Sequence, residues 1–363
     1  MAHITINNVN KIYPDGTPAV SNLNMEIASG EFLCIIGPSG CGKSSTLRML
    51  AGLEEVSSGQ ILIDGEDVSN TPARDRDIAM VFENYALYPH LTVRENISMP
   101  LVARNTPKGE TKSRVADIAA RLSIESQLDK KPAKLSGGQR QRVALARAMI
   151  RNPRMFIMDE PLGHLEAYLR IELRREIRAL HESSGGTTMY ITHDQEEAAA
   201  ISDRIAIMYD GVLQQVGTFE ELIDHPVNRM VAEFVGEPPI SIVENGILTE
   251  TGIKLGEVEF VLPVDTVRRA KKASGPFALG ARPRDFQIVE NDAHGLTAKI
   301  RSVQPMGEWA ILLCDTAVGV LTVVSATAGA PQVESEITIS PNFSRAHLFA
   351  ADGNNLSVEG SLN

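Results

Sequence analysis

Residues Gly37-Pro38-Ser39-Gly40-Cys41-Gly42-Lys43-Ser44 form a glycine-rich loop. The loop lies between an apolar run, Phe32 to Ile36, and a segment with helical spacing, Ser45 to Leu53. Strand, glycine loop and helix start, in that order, make the pattern a phosphate site rather than an ordinary turn. Glycines at 37, 40 and 42 let the backbone turn tightly, so successive N–H groups converge on anionic oxygens. The helix that follows adds the positive end of its dipole. Lys43 supplies a point charge for β- and γ-phosphates, and the Ser44 hydroxyl is placed to bind Mg²⁺. A nucleoside triphosphate is the expected ligand, held by Gly37, Pro38, Ser39, Gly40, Cys41, Gly42, Lys43, Ser44 and Ser45.

Further apolar runs at Ile78–Phe82, Met155–Met158, Thr188–Ile191 and Ile205–Tyr209 read as strands of a parallel sheet covered on both faces. Between about 84 and 152 the apolar spacing becomes helical, as in Thr111–Leu122 and Gln139–Ile150, which predicts a helical insertion. Glu237-Pro238-Pro239 is the linker candidate. Beyond it lie short alternating segments: Glu257–Leu262, Phe286–Val289, Leu296–Val303, Trp309–Cys314, Val318–Val324 and Glu336–Ile339. They predict a small all-β domain, a barrel or sandwich.

The strand ending at Met158 delivers Asp159 and Glu160 to the carboxyl end of the sheet, where ligands bind. Asp159 suits Mg²⁺ and Glu160 suits polarising an attacking water. His193 follows the strand Thr188–Ile191, and two adjacent strand ends would bring it to the γ-phosphate. A solvated acid pair and a structural histidine are the plainer readings of each residue taken alone. Leu135-Ser136-Gly137-Gly138-Gln139 opens a helix, either as a second anion-binding nest or as a simple cap.

These motifs, in this order and spacing, resemble the ATP-binding-cassette ATPases over residues 3–236. Residues 135–139 match that family's signature. The resemblance implies a head-to-tail dimer that clamps ATP between the loop at 37–44 of one subunit and Ser136, Gly137, Gly138 and Gln139 of the other. The stretches Asn84-Tyr85-Ala86-Leu87-Tyr88-Pro89-His90-Leu91-Thr92-Val93 and Lys134–Val143, with Gly280-Ala281-Arg282-Pro283, are similar to the carbohydrate-importer branch. Its familiar members serve maltose and glycerol-3-phosphate uptake.

By that likeness the fold is an α/β nucleotide-binding domain at 1–236, with a helical subdomain at about 84–152. A C-terminal all-β, OB-like regulatory domain occupies 237–363. Tyr13 would stack on adenine, against the alternative of a half-buried strand-edge aromatic. Glu160 and His193 would be catalytic, and Ser44, Glu83 and Asp159 would hold the metal. Residues 84–93 would touch a membrane permease, with a periplasmic or extracellular solute-binding protein as an indirect partner. The expected place is the cytoplasmic face of the cell membrane.

Three positions depart from the family pattern. Glu83 stands where Gln is usual, and it is acceptor-only when ionised. Pro161-Leu162-Gly163-His164-Leu165-Glu166 replaces Pro-Leu-Ser-Asn-Leu-Asp, so Gly163 drops a hydroxyl and Glu166 lengthens an acidic arm. Two readings follow: tolerated drift in an active homodimer, or a subunit that pairs with a different ATPase, with one strong and one weak site. A mainly regulatory subunit and a soluble cassette ATPase outside transport are further alternatives. The net charge of −11 argues against a broad nucleic-acid-binding face. The three cysteines, Cys34, Cys41 and Cys314, lack metal spacing and fit a reducing compartment. The N-terminus shows no signal peptide.

Overall fold

The apolar runs become the strands that position the site. The computed structural model describes residues 2–163, 165–273, 275–289, 295–342 and 344–358. Two compact units divide between Thr218 and Phe219. In the first unit the elements are β1 (Ile4–Ile12), β2 (Pro18–Ile27), β3 (Phe32–Ile36), α1 (Lys43–Ala51), β4 (Ser58–Ile63), β5 (Glu66–Asp67) and β6 (Ile78–Val81). The helices α2 (Val93–Val102), α3 (Lys108–Arg121) and α4 (Gly137–Met149) follow. Then come β7 (Met155–Asp159), α5 (Ala167–Ser184), β8 (Thr187–Ile191), α6 (Gln195–Ile201), β9 (Arg204–Tyr209) and β10 (Val212–Gly217).

The central sheet has the order β10-β9-β3-β8-β7-β6. It is parallel except for the antiparallel edge strand β10. Every residue of β3, β7 and β8 is buried. That explains why they read as unbroken apolar runs instead of alternating ones. An antiparallel sheet, β2-β1-β4-β5, shares its core with α1 and the central sheet through Ile4, Ile27, Leu47, Ile61 and Met189. The helical insertion is present as α2, α3 and α4, with α2 packed on the other two.

The second unit opens with α7 (Phe219–Asp224) and α8 (Arg229–Phe234). Strands β11 (Ser241–Leu248), β12 (Gly252–Leu255) and β13 (Val258–Val261), helix α9 (Val264–Ala270) and β14 (Phe277–Ala281) follow. The chain ends in β15 (Phe286–Val289), β16 (Leu296–Pro305), β17 (Trp309–Thr316), β18 (Gly319–Ala326), β19 (Glu336–Pro341) and β20 (His347–Phe349). They make two five-stranded antiparallel sheets, β13-β12-β11-β14-β20 and β15-β19-β16-β17-β18, around one apolar core. Arg282, buried, donates Nη1 to the carbonyls of Ala232, at 2.8 Å, and Val235, and Nη2 to that of Ile223 at 3.2 Å. It ties α7 and α8 to β14. Burial lowers its pKa to about 10, so it stays a cation at neutral pH. Among the described residues the three cysteines are unpaired, and no helix is long and apolar enough to cross a membrane.

Candidate nucleotide site

The loop at 37–44 joins β3 to α1, as the sequence context predicts. Its backbone is packed too closely for side chains at two glycines. A Cβ on Gly42, whose φ is 98°, would lie 2.4 Å from the Ala19 carbonyl oxygen. One on Gly37 would lie 2.2 Å from the Met208 carbonyl oxygen. Lys43 Nζ donates to the carbonyls of Gly37 at 2.8 Å and Pro38 at 3.0 Å. Its ammonium thus lies over the loop it serves.

Ser44 stands in the first turn of α1, and its Oγ donates to Asp159 Oδ1 at 3.5 Å. Asp159 closes β7 and is 9% exposed. Burial raises its pKa above the ordinary carboxylate value, Glu160 and Glu83 push the same way, and Arg48 opposes them. Glu83, two residues beyond β6, therefore acts electrostatically on this centre.

The β7–β8 register pairs Asp159 with Ile191, so Glu160 and His193 leave neighbouring strand ends. Glu160 N–H donates to the Ile191 carbonyl at 3.0 Å. Its φ of 43° is left-handed, a conformation that costs a non-glycine residue about 1–3 kcal/mol and clusters at functional sites. Glu160 Oε2 lies 3.1 Å from His193 Nδ1. A carboxylate accepts only, so the proton of this contact sits on Nδ1.

Tyr13, directly after β1, is half-buried, and its hydroxyl meets Ser45 Oγ at 3.0 Å and donates to Glu54 Oε2 at 2.9 Å. The ring is thereby tied to α1 and to the turn that follows it. Ser136 to Gln139 close on each other instead. Ser136 Oγ accepts the Gln139 N–H at 3.3 Å, and Gln139 Oε1 accepts the Ser136 N–H at 3.0 Å, a capping box. A Cβ on Gly137 would lie 2.9 Å from Leu165 Cδ2, and one on Gly138 would lie 2.7 Å from Leu169 Cδ2. The start of α4 is thus seated against the 161–166 loop and the start of α5. A Cβ on Gly163 would meet Glu160 O at 3.6 Å and Oε2 at 3.9 Å, ordinary contacts that do not demand glycine. His164 lies outside the described residues.

Sequence reasoning passed over Arg147. From α4 its guanidinium donates to the carbonyls of Ala86 at 2.7 Å and Tyr85 at 2.8 Å, and lies 5.8 Å from the Tyr88 ring centre. Tyr85 and Ala86 are both left-handed, at φ 63° and 45°. The available signal was the arginine's place two turns beyond Gln139, on the helix that the signature opens.

The donor set fits a hard divalent cation. Ser44 Oγ and the Asp159 carboxylate offer oxygen donors side by side. Among the described residues no group of three His, Cys, Asp or Glu side chains forms a metal cage. Mg²⁺ takes one or two carboxylates together with substrate phosphates and water, rather than a full protein cage.

The sequence profile of the family described as ABC transporter matches residues 20–163. The trehalose import ATP-binding protein SugC of Mycobacterium tuberculosis is 49% identical over 289 residues, 79% of this chain and 73% of that protein. The chain belongs to the ABC transporter family. As a member of that family it is an ATPase. The sn-glycerol-3-phosphate import ATP-binding protein UgpC 1 of Rhizobium johnstonii is 44% identical, covering 97% of this chain and 95% of its own length. The oligosaccharides import ATP-binding protein MsmX of Bacillus subtilis is 44% identical over 85% of this chain and 86% of its own. The solved dimer of the ATP-binding cassette MJ0796 in a post-hydrolysis state, bound to ADP and Pi, has a TM-score of 0.54 at 32% identity. It covers 59% of this chain, and 98% of that chain is matched.

Proposed function

We propose that this chain energises a bacterial importer of a carbohydrate, polyol or polyol phosphate, as one half of a head-to-tail ATPase dimer on the cytoplasmic face of the cell membrane. The contact of Glu160 with His193, one strand from the Ser44–Asp159 pair, carries the reading. The names of the relatives, which specify trehalose, glycerol-3-phosphate and oligosaccharides, support the solute class.

ATP is held by the loop at 37–45, with Tyr13 against adenine and Lys43 at the β- and γ-phosphates. The partner subunit's signature segment, equivalent to 136–139 here, closes the site. Ser44, Asp159 and Glu83 would hold Mg²⁺, which would neutralise charge developing on the phosphate oxygens. Glu160 orients a water and takes its proton as that water attacks the γ-phosphorus. The bond to the bridging oxygen breaks, leaving ADP and inorganic phosphate. His193 keeps Nδ1–H on Glu160, so its reach to the γ-phosphate is through Nε2.

Residues 84–93 meet the permease, and Arg147 joins them to the helix that presents the signature. The β-rich residues 237–363 form a regulatory domain, and 1–236 the ATPase domain. The departures at Glu83, Gly163 and Glu166 from the family pattern support a second reading, in which the partner is a different ATPase chain. Purification of the tagged transporter from its native membrane tests both. The first reading expects permease subunits, two copies of this chain, and turnover raised by solute. A second ATPase species supports the mixed dimer. Absence of any permease overturns the transport role.

A further inference from the structure

Helix α5 carries Arg170, Arg174 and Arg178, four residues apart and therefore on one face. That face meets α6, a seven-residue helix that begins two residues after His193. Arg170 and Arg178 engage opposite ends of α6, and Arg174 stands between them on α5. Arg170 Nη1 lies 3.4 Å from Asp194 Oδ2, while the other oxygen of Asp194 caps α6 by accepting the Glu197 N–H at 3.0 Å. Arg174 acts by charge on Glu197, a carboxyl only 3% exposed that accepts the hydroxyl hydrogen bond of Tyr190 in β8. At the far end Arg178 donates to the Ile201 carbonyl at 3.0 Å and to Asp203 at 2.9 Å. A helix this short has little stability of its own, so its position is set by what it is fastened to.

We propose that the Arg170–Arg174–Arg178 stripe is a clasp that makes α5 and α6 one body. Leu165 and Glu166, which lead into α5, and His193, which precedes α6, then change position together. A displacement of the start of α5 is thereby delivered to the imidazole beside Glu160. Arg170 and Asp194 are positioning residues in this scheme. The inference rests on the role of His193 in hydrolysis.

The test uses the full-length protein, with ATP turnover and amide hydrogen exchange read together. Arg170→Gln removes the pair, and Asp194→Asn removes it while keeping a good helix cap. Each is expected to lower kcat about tenfold with KM for ATP within about twofold, and the double variant to fall no further than either single one. Exchange in 195–201 should quicken in Arg170→Gln. Losses in kcat that add, or unchanged protection of 195–201 in Arg170→Gln, overturn the clasp. His193→Ala separates the two layers. If it hydrolyses ATP like the parent, the role of His193 falls, and exchange in 195–201 alone decides the clasp.

Discussion

Gly138→Ala tests how the signature helix is seated. The added Cβ would lie 2.7 Å from Leu169 Cδ2, 3.1 Å from Cδ1 and 3.2 Å from Cγ. Carbon atoms rest at about 3.5–4.0 Å, so Leu169 or the start of α4 must give by close to 1 Å. Overpacking of this kind costs about 1–3 kcal/mol, and Leu169, half-buried, has room to place the cost near the lower end. At about 2–4 °C per kcal/mol for a unit of this size, the melting temperature should fall by roughly 2–6 °C. Turnover should fall as well, because in the proposed dimer the displaced turn is the one offered to the partner's nucleotide. Leu169→Ala in the same chain removes the obstructing carbons. The double variant should therefore be more stable than the sum of the single effects by about 1 kcal/mol. Thermal unfolding of the four proteins, with ATP turnover alongside, gives the cycle. Strict additivity would refute the reasoning that α4 is seated on Leu169.

Three other outcomes are expected. Glu83→Gln removes a negative charge near the triphosphate, which should let Asp159 return toward its ordinary pKa and tighten metal-free ATP binding about fivefold; unchanged or weaker binding in a chelated titration contradicts this. Arg147→Gln deletes both bonds to the 85–86 carbonyls and should lower solute-stimulated turnover in the assembled transporter about tenfold, while basal turnover stays within about threefold; a parallel fall of both rates removes Arg147 from the coupling path.

The third outcome concerns pH. His347 is buried beside Arg282, burial being the larger cause, and its pKa drops from 6.5 to about 4. The unfolded chain takes up a proton between those values and the folded chain does not, so stability falls as pH drops through that window. The loss reaches roughly 3 kcal/mol by pH 4, and denaturant titrations should show a flatter pH slope in His347→Gln; equal slopes contradict the assignment.

The phosphate loop, the acid pair and the histidine were legible because each sits where an apolar strand stops. The strand ends at 36, 159 and 191 locate the site without any long-range information. Helix α2 was less visible. Pro100 interrupts its pattern, although the Thr92–Glu95 capping box marks its start. Arg282 and Arg147 act on carbonyls 47–62 residues away, and no local periodicity reports such partners. The glycines at 137 and 138 read as an anion nest, but their contacts with Leu165 and Leu169 appear only once α4 and α5 are packed. The arginine stripe was visible as spacing, and its meaning required α6 beside it.

The most direct test of the central claim is ATP turnover by Glu160→Gln in the assembled transporter, measured with nucleotide affinity. The substitution keeps shape and a hydrogen-bonding side chain but removes the base. Turnover should fall by a factor on the order of 10² or more, with ATP affinity preserved. Hydrolysis at the parent rate would contradict the assignment of Glu160 and the mechanism built on it.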